Sequence, residues 1–185
     1  EPHLMITVHH LENSRSQRVL WLLEELELPY EVRRYRRLPN MFAPPELKRV
    51  HPLGKAPVIE DDAAGGDRPL VVAETGAIVE YLVERADGRL GPPTHRRSAL
   101  LWRHFLHYAE GSLMPPLFVS LVVGRIPLLG KPALRRIALL VAVHLDYVEA
   151  HLATHAWFAG DAFTAADVMM SFPLEAARSR AGLDG

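Results

Sequence analysis

The sequence predicts an α/β first half followed by an all-helical second half. Three observations carry that expectation. Strand-like and helix-like patterns alternate through the first 85 residues. A stretch rich in Gly and Pro then runs from Asp87 to His95, and beyond it strand patterns stop. The expected boundaries are therefore residues 1–86 for a first domain, 87–95 for a linker and 96–185 for a helical domain, the last expected to be incomplete.

Met5 to Val8 reads as a short strand. Val19, Leu22, Leu23 and Leu26 recur at i, i+3, i+4 and i+7, one face of a helix. Tyr30 to Tyr35 reads as a second strand after Pro29, and a Pro-rich loop follows with Pro39, Pro44, Pro45 and Pro52. Pro57 to Ile59 begins a third strand, Leu70 to Ala73 forms a fourth, and Thr75 to Arg85 a second helix. The order βαβ then ββα implies a small mixed sheet covered by helices. Beyond the linker, helical patterns span residues 96–123, 133–154 and 165–178, and Pro115, Pro116 and Pro173 are expected to kink or interrupt two of them.

Composition narrows the function. A formal net charge of −1 argues against a protein that grips nucleic acid through its overall charge. The basic run Arg33, Arg34, Tyr35, Arg36, Arg37 reads as a solvated strand edge and loop. No stretch has the 18 uninterrupted apolar residues of a membrane span. Glu1 to Leu4 lacks the basic and apolar segments of a signal peptide, so a cytoplasmic location is the expectation. There are no cysteines, which excludes disulfides, thiolate metal sites and a protein thiol as nucleophile. Any sulfur chemistry must use a ligand's sulfur.

Three short motifs offer polar chemistry, and each also has a plain structural reading. Ser14 and Gln17 have the spacing of a capping box where the first strand turns into the first helix. The same place puts the Ser14 hydroxyl, or that of Ser16, at a helix N-terminus, where a thiolate would be favoured. Lys55-Ala56-Pro57-Val58 reads as a strand start with Pro at its head. It is also a candidate cis X-Pro bond that would offer the Ala56 backbone to a peptide ligand. Thr75 can cap the second helix; the same geometry offers N–H groups and a hydroxyl to a carboxylate, while Glu74 suits an ammonium. Together they describe a site for a zwitterion, a short peptide backbone, a thiol and a second carboxylate.

The series Ser-x-Ser-x-Arg at 14–18, His-Pro-Leu-Gly-Lys-Ala-Pro-Val at 51–58 and Ala-Glu-Thr-Gly-Ala-Ile at 73–78, then a linker and an all-helical half, resembles the glutathione transferase family, in particular its serine-type bacterial and fungal members. The resemblance covers nearly the whole chain. It implies an α/β thioredoxin-like N-terminal domain, an all-α C-terminal domain and a homodimer. It also implies glutathione as cosubstrate, a small hydrophobic electrophile as second substrate, and no metal. Carried over by position, Ser14 stabilises the glutathione thiolate, with Ser16 as the second choice. Lys55 meets the glycine carboxylate, Ala56 pairs with the cysteine backbone, Pro57 is the cis-proline, and Glu74 and Thr75 hold the γ-glutamyl head. His51 is a weaker member of the same loop.

In the helical half, Phe163-Thr164-Ala165-Ala166-Asp167-Val168 matches the family's helix-capping signature, a structural feature in which Thr164 caps and Asp167 answers. His107, Tyr108 and Met114 are the candidates for the electrophile side of the site. His104 and His107 share a helical face, but no acidic ligand pattern accompanies them, so no metal site is expected. Two alternatives stay open at this point: a glutathione-dependent peroxidase, and a binding or assembly module that keeps the fold without catalysis.

Overall fold

The computed structural model describes residues 5–63, 66, 68–127 and 130–181. The expectations on Glu1–Leu4 and on the chain beyond residue 181 lie outside the described residues, as does part of the Gly124–Pro132 connection. Two compact units are present, Glu1–Leu90 and Gly91–Gly185.

The first unit is built from β1 (Ile6–Leu11), α1 (Ser16–Glu25), β2 (Tyr30–Tyr35), α2 (Leu47–Val50), β3 (Val58–Asp61), β4 (Leu70–Ala73) and α3 (Thr75–Arg85). The four strands form one sheet in the order β2-β1-β3-β4. β1 and β2 are parallel, as a crossover through α1 requires, while β3 runs antiparallel to both β1 and β4. Val19, Leu22 and Leu23 of α1 are fully buried, as are Ile78, Val79 and Leu82 of α3. The two helices pack against each other and against the sheet. Burying each of these side chains contributes about 1.5–3 kcal/mol.

β1 runs three residues further than the apolar pattern of Met5 to Val8 indicates. Its extension contains His9 and His10, polar residues that do not read as strand. His9 is fully buried and is satisfied on both ring nitrogens: Nδ1 lies 2.8 Å from the Tyr35 hydroxyl and Nε2 2.9 Å from Glu60 Oε2. A buried polar ring is tolerated when both of its polar atoms are paired, and here the pairing joins β1 to β2 and β3 across one sheet face. On β3, buried Asp61 accepts from the Tyr81 hydroxyl at 2.6 Å, from Arg85 Nε at 2.9 Å and from the Ala63 N–H at 2.8 Å, which ties the sheet to α3.

The regular elements of the second unit, among its described residues, are helices: α4 (Arg96–Tyr108), α5 (Met114–Val123), α6 (Gly130–Leu152) and α7 (Ala165–Ala181). Between α4 and α5, Ala109–Leu113 forms a single π turn, in which the Met114 N–H reaches back to the Ala109 carbonyl. Pro115 and Pro116 explain the slip. Neither has an N–H to return to the carbonyls of Gly111 and Ser112, so the ladder is interrupted and restarts with the prolines in the first turn of α5. At Pro173 the expected interruption does not occur: α7 runs on through a buried Pro173, packed against α4 and α5. Packing of the whole helix outweighs one missing hydrogen bond.

The start of α7 is the capping arrangement expected at Thr164. The Thr164 hydroxyl accepts from the Ala166 N–H at 3.3 Å, and Asp167 accepts from the Thr164 N–H at 2.8 Å. Asp167 does more than answer the cap. Its other oxygen accepts from the Phe158 N–H at 2.9 Å, fastening the preceding loop onto the helix.

Candidate functional site

The strand register brings the three sequence motifs of the first unit to one end of the sheet. β1 ends at Leu11, β3 begins at Val58 opposite His9, and β4 ends at Ala73 opposite Val58. The segments that leave the sheet at this end are the turn to Ser14, the Ala56–Pro57 bond and the Glu74–Thr75 junction. Residues about 40 and 60 positions apart in sequence are therefore neighbours by topology, because strands in register bring their ends into line.

Ser14 lies in the turn before α1 and Ser16 is that helix's first residue. The capping box expected from Ser14 and Gln17 does not form. The cap position is Arg15, with no side-chain cap; the Gln17 N–H bonds to the Ser14 backbone carbonyl at 3.3 Å. The Ser14 hydroxyl is drawn instead toward Ser16, accepting its N–H at 3.3 Å and standing 2.7 Å from its Oγ. Ser16 Oγ is in turn 2.9 Å from His10 Nδ1 and 3.3 Å from the Leu11 carbonyl. Ser16 is 0% exposed and Ser14 7%, so of the two hydroxyls only that of Ser14 has a route to a ligand. Burial, reinforced by the positive charge of Arg34, lowers the pKa of His10, which keeps its ring neutral at pH 7.

The turn carrying Ser14 is held by Arg37, a residue that the charge pattern alone assigns to a solvated edge. Its guanidinium donates to the carbonyls of Glu12 (3.1 Å), Asn13 (3.0 Å) and Met41 (2.8 Å), and its N–H donates to the Glu12 carboxylate at 2.8 Å. A planar fork of donors suits three carbonyls better than a point charge does. Asn13 adopts φ 49°, a left-handed conformation that Asn tolerates. The sequence contains no sign of this clamp beyond the presence of a cation two residues after a strand.

In the second loop, His51 closes α2 and its Nδ1 accepts from the Leu53 N–H at 3.4 Å, a local role. Gly54 has φ +58°, and a Cβ there would stand 2.7 Å from Lys48 Cγ, so both backbone and space favour glycine. Lys55 is exposed, Ala56 half-buried and Pro57 buried. The Ala56–Pro57 bond is cis, as the motif suggests.

The third element departs from expectation in its cap. Glu74, not Thr75, occupies the cap position of α3, and no side chain caps that helix. Thr75 is buried as the first helical residue, while Glu74 is exposed. Glu74 has φ 72° and ψ 123°, a conformation that costs a residue with a Cβ about 1–3 kcal/mol. Strain of this kind collects where a side chain or backbone group must be aimed. Here it falls on an exposed Glu74 at the start of α3, a helix with no side-chain cap.

In the helical unit, His107 and Tyr108 line a groove of about 480 Å³ together with Leu100, Arg103, His104, Gly111 and Ser112. The π turn supplies Gly111 and Ser112 to this wall. Tyr108 is bonded to His144 Nδ1 at 2.6 Å, and burial, with Tyr147 nearby, pushes its pKa to about 12, so its phenol stays protonated. His104 Nε2 is 3.0 Å from the Tyr147 hydroxyl. Met114 is only 2% exposed and belongs to the helical core, outside the groove lining. Among the described residues no cluster of three or more His, Cys, Asp or Glu side chains could hold a metal, and no helix is long and apolar enough to cross a membrane.

A four-stranded mixed sheet with a cis-proline heading β3 and an uncapped helix after β4, followed by a helical unit, defines the thioredoxin-like and all-α architecture of glutathione transferases. Comparison with known proteins agrees. Residues 14–85 match the glutathione S-transferase N-terminal domain model and residues 139–182 the C-terminal domain model. The chain is 38% identical to glutathione S-transferase 3 of Schizosaccharomyces pombe, over 94% of this chain and 75% of that protein. A glutathione S-transferase structure from Actinobacillus pleuropneumoniae is 36% identical and superposes with a TM-score of 0.81, over 95% of this chain and 79% of that one. A family member from Pseudomonas fluorescens, solved with two glutathione molecules bound, is 26% identical with a TM-score of 0.81, over 98% of this chain and 83% of that one. The chain belongs to the glutathione S-transferase family, a family of enzymes.

Proposed function

We propose that residues 1–86 bind glutathione at the shared sheet end, that Ser14 stabilises its thiolate, and that the thiolate attacks a small hydrophobic electrophile. The observation that carries this reading is the convergence of Ser14, Ala56–Pro57 and Glu74–Thr75 on one end of the sheet through the β1–β3–β4 register. Those groups complement one ligand along its length. Glu74 faces the α-ammonium and Thr75 with the first turn of α3 the α-carboxylate of the γ-glutamyl head. Ala56 pairs with the cysteine backbone, Lys55 meets the glycine carboxylate, and Ser14 donates to sulfur.

A free thiol has a pKa of about 8.5; lowering it by about two units requires roughly 2.7 kcal/mol, within the range of a hydrogen bond to a charged group beside a helix N-terminus. Sulfur then forms a bond to the electrophilic carbon, whose leaving group departs with the bonding pair or whose π electrons are displaced onto an acceptor atom. Holding both reactants in place supplies the rest of the acceleration. His107 and Tyr108 are the proposed electrophile-binding residues: the groove they line in the helical unit offers aromatic surface, and the Tyr108 hydroxyl is held by His144. A homodimer in the cytoplasm belongs to the same proposal.

Calorimetric titration with glutathione, followed by turnover against a panel of aryl halides, enones and hydroperoxides, tests the reading. Binding with conjugation of a carbon electrophile is the expected result. Absence of any binding heat would leave a scaffold without glutathione chemistry, and turnover confined to hydroperoxides would replace conjugation by peroxide reduction.

A further inference from the structure

We propose that Ser14, Ser16 and His10 form a proton relay, through which the thiol of bound glutathione passes its proton inward to His10 Nδ1. The inference rests on the glutathione-binding reading above and concerns two residues, His10 and Ser16, that do not touch the ligand. They act through Ser14 as positioning residues.

The geometry is a chain of three atoms, Ser14 Oγ to Ser16 Oγ at 2.7 Å and Ser16 Oγ to His10 Nδ1 at 2.9 Å. Ser16 is wholly buried, so its single hydroxyl hydrogen must go to a protein acceptor, and the competing Leu11 carbonyl is more distant at 3.3 Å. In the neutral His10 tautomer that carries its hydrogen on Nε2, Nδ1 is an acceptor and the hydrogens point inward: Ser14 donates to Ser16, and Ser16 donates to His10. One lone pair of Ser14 accepts the Ser16 N–H and the other is available to an S–H group.

Ionisation then proceeds by a concerted shift. The S–H bond breaks as its proton bonds to Ser14 Oγ; the Ser14 proton moves to Ser16 Oγ, and the Ser16 proton moves to His10 Nδ1. The electron pair of the S–H bond stays on sulfur, so one S–H bond is exchanged for one N–H bond and no other group changes charge. Afterwards all three hydrogen bonds point outward, and the Ser14 hydroxyl donates to the new thiolate. The same chain that removes the proton thus ends in the orientation that stabilises the product.

His10 lies on the α1 side of β1, opposite Arg34 of β2 in the register, with the Ser16 hydroxyl facing it from α1. Arg34 and burial both oppose its protonation at rest. This keeps the ring available as an acceptor, and the thiolate formed at the far end of the chain offsets that cost by Coulomb attraction.

The test is the ultraviolet absorbance of bound glutathione thiolate, titrated with pH in the wild type, in His10→Gln and in Ser16→Ala. Binding of S-methylglutathione, which has no thiol proton, is measured alongside. Gln preserves a hydrogen bond to Ser16 but takes up no proton; Ala removes the middle link. Both are expected to raise the apparent thiol pKa by about one unit, a tenfold loss of thiolate on the acid limb. S-methylglutathione affinity should stay unchanged. An unaltered thiol pKa in Ser16→Ala with S-methylglutathione still bound would overturn the relay and leave the binding reading intact. A wild type that binds neither ligand would overturn both. Should His10→Gln fail to fold, Ser16→Ala alone decides, because replacing a buried hydroxyl by hydrogen leaves the helix start in place.

Discussion

Ser14 Oγ and Ser16 Oγ stand 2.7 Å apart, yet Ser16 is sealed from solvent while Ser14 is not. In the proposed reading the two hydroxyls, two residues apart, have different tasks: Ser14 meets glutathione and Ser16 supports it. Ser14→Ala should keep glutathione binding and lower kcat/KM roughly 10- to 100-fold, the effect of losing one hydrogen bond to a charged sulfur. Steady-state kinetics with a saturating electrophile check this, and equal rates in mutant and wild type would move the role elsewhere.

Arg37 holds the turn that carries Ser14 through three backbone carbonyls. Arg37→Ala is expected to reduce kcat/KM about tenfold or more by loosening that turn, while the global unfolding transition moves little. Arg37→Lys should not restore activity, since an ammonium cannot span the three acceptors. Kinetics and thermal melts on the two variants check both statements.

Glu74 combines a strained backbone with an exposed side chain. Glu74→Gln keeps the backbone and removes the charge, so glutathione affinity should fall about 10- to 100-fold at constant Tm. Glu74→Gly removes the Cβ that the conformation penalises, and should lose the same affinity without loss of stability. Calorimetry and melting curves read the two effects separately.

Asp61 sets an acid limb to stability. Burial pushes its carboxyl pKa up, but hydrogen bonds from Tyr81, the Ala63 N–H and Arg85, with the charge of Arg85, outweigh burial and leave it below the ordinary value of 3.8. A carboxyl depressed in the folded state contributes stability that is complete above the unfolded pKa and disappears as pH falls through the folded one. Denaturant unfolding should therefore show a loss of stability below about pH 4. Asp61→Asn should be less stable at neutral pH, with a shallower decline in acid.

Much of this architecture is legible in the sequence, for identifiable reasons. α3 matches its pattern because its apolar residues follow one helical period between Thr75 and Arg85, and β4 because Leu70–Ala73 is an unbroken apolar run. The short α2 is invisible because four residues cannot display a helical period between prolines. The end of β1 is hidden because His9 and His10 look polar until their partners on β2, β3 and α1 are known. In the site, the residues carried over from the family motifs arrive at one end of the sheet, whereas His10 and Arg37 have no linear signal. Their importance comes from distances across the fold, and only tertiary structure creates those.

His9 and His10 are consecutive on β1 and point to opposite faces of the sheet: one is locked between Tyr35 and Glu60, the other lies against Ser16. Slippage of β1 by a single residue would exchange them, pulling the cross-strand bridge apart and withdrawing the imidazole from the serines in one movement. Strand alignment and proton chemistry are thereby coupled at a dipeptide. Selection for a firmly seated sheet would then preserve the acid–base geometry next door, without acting on it directly.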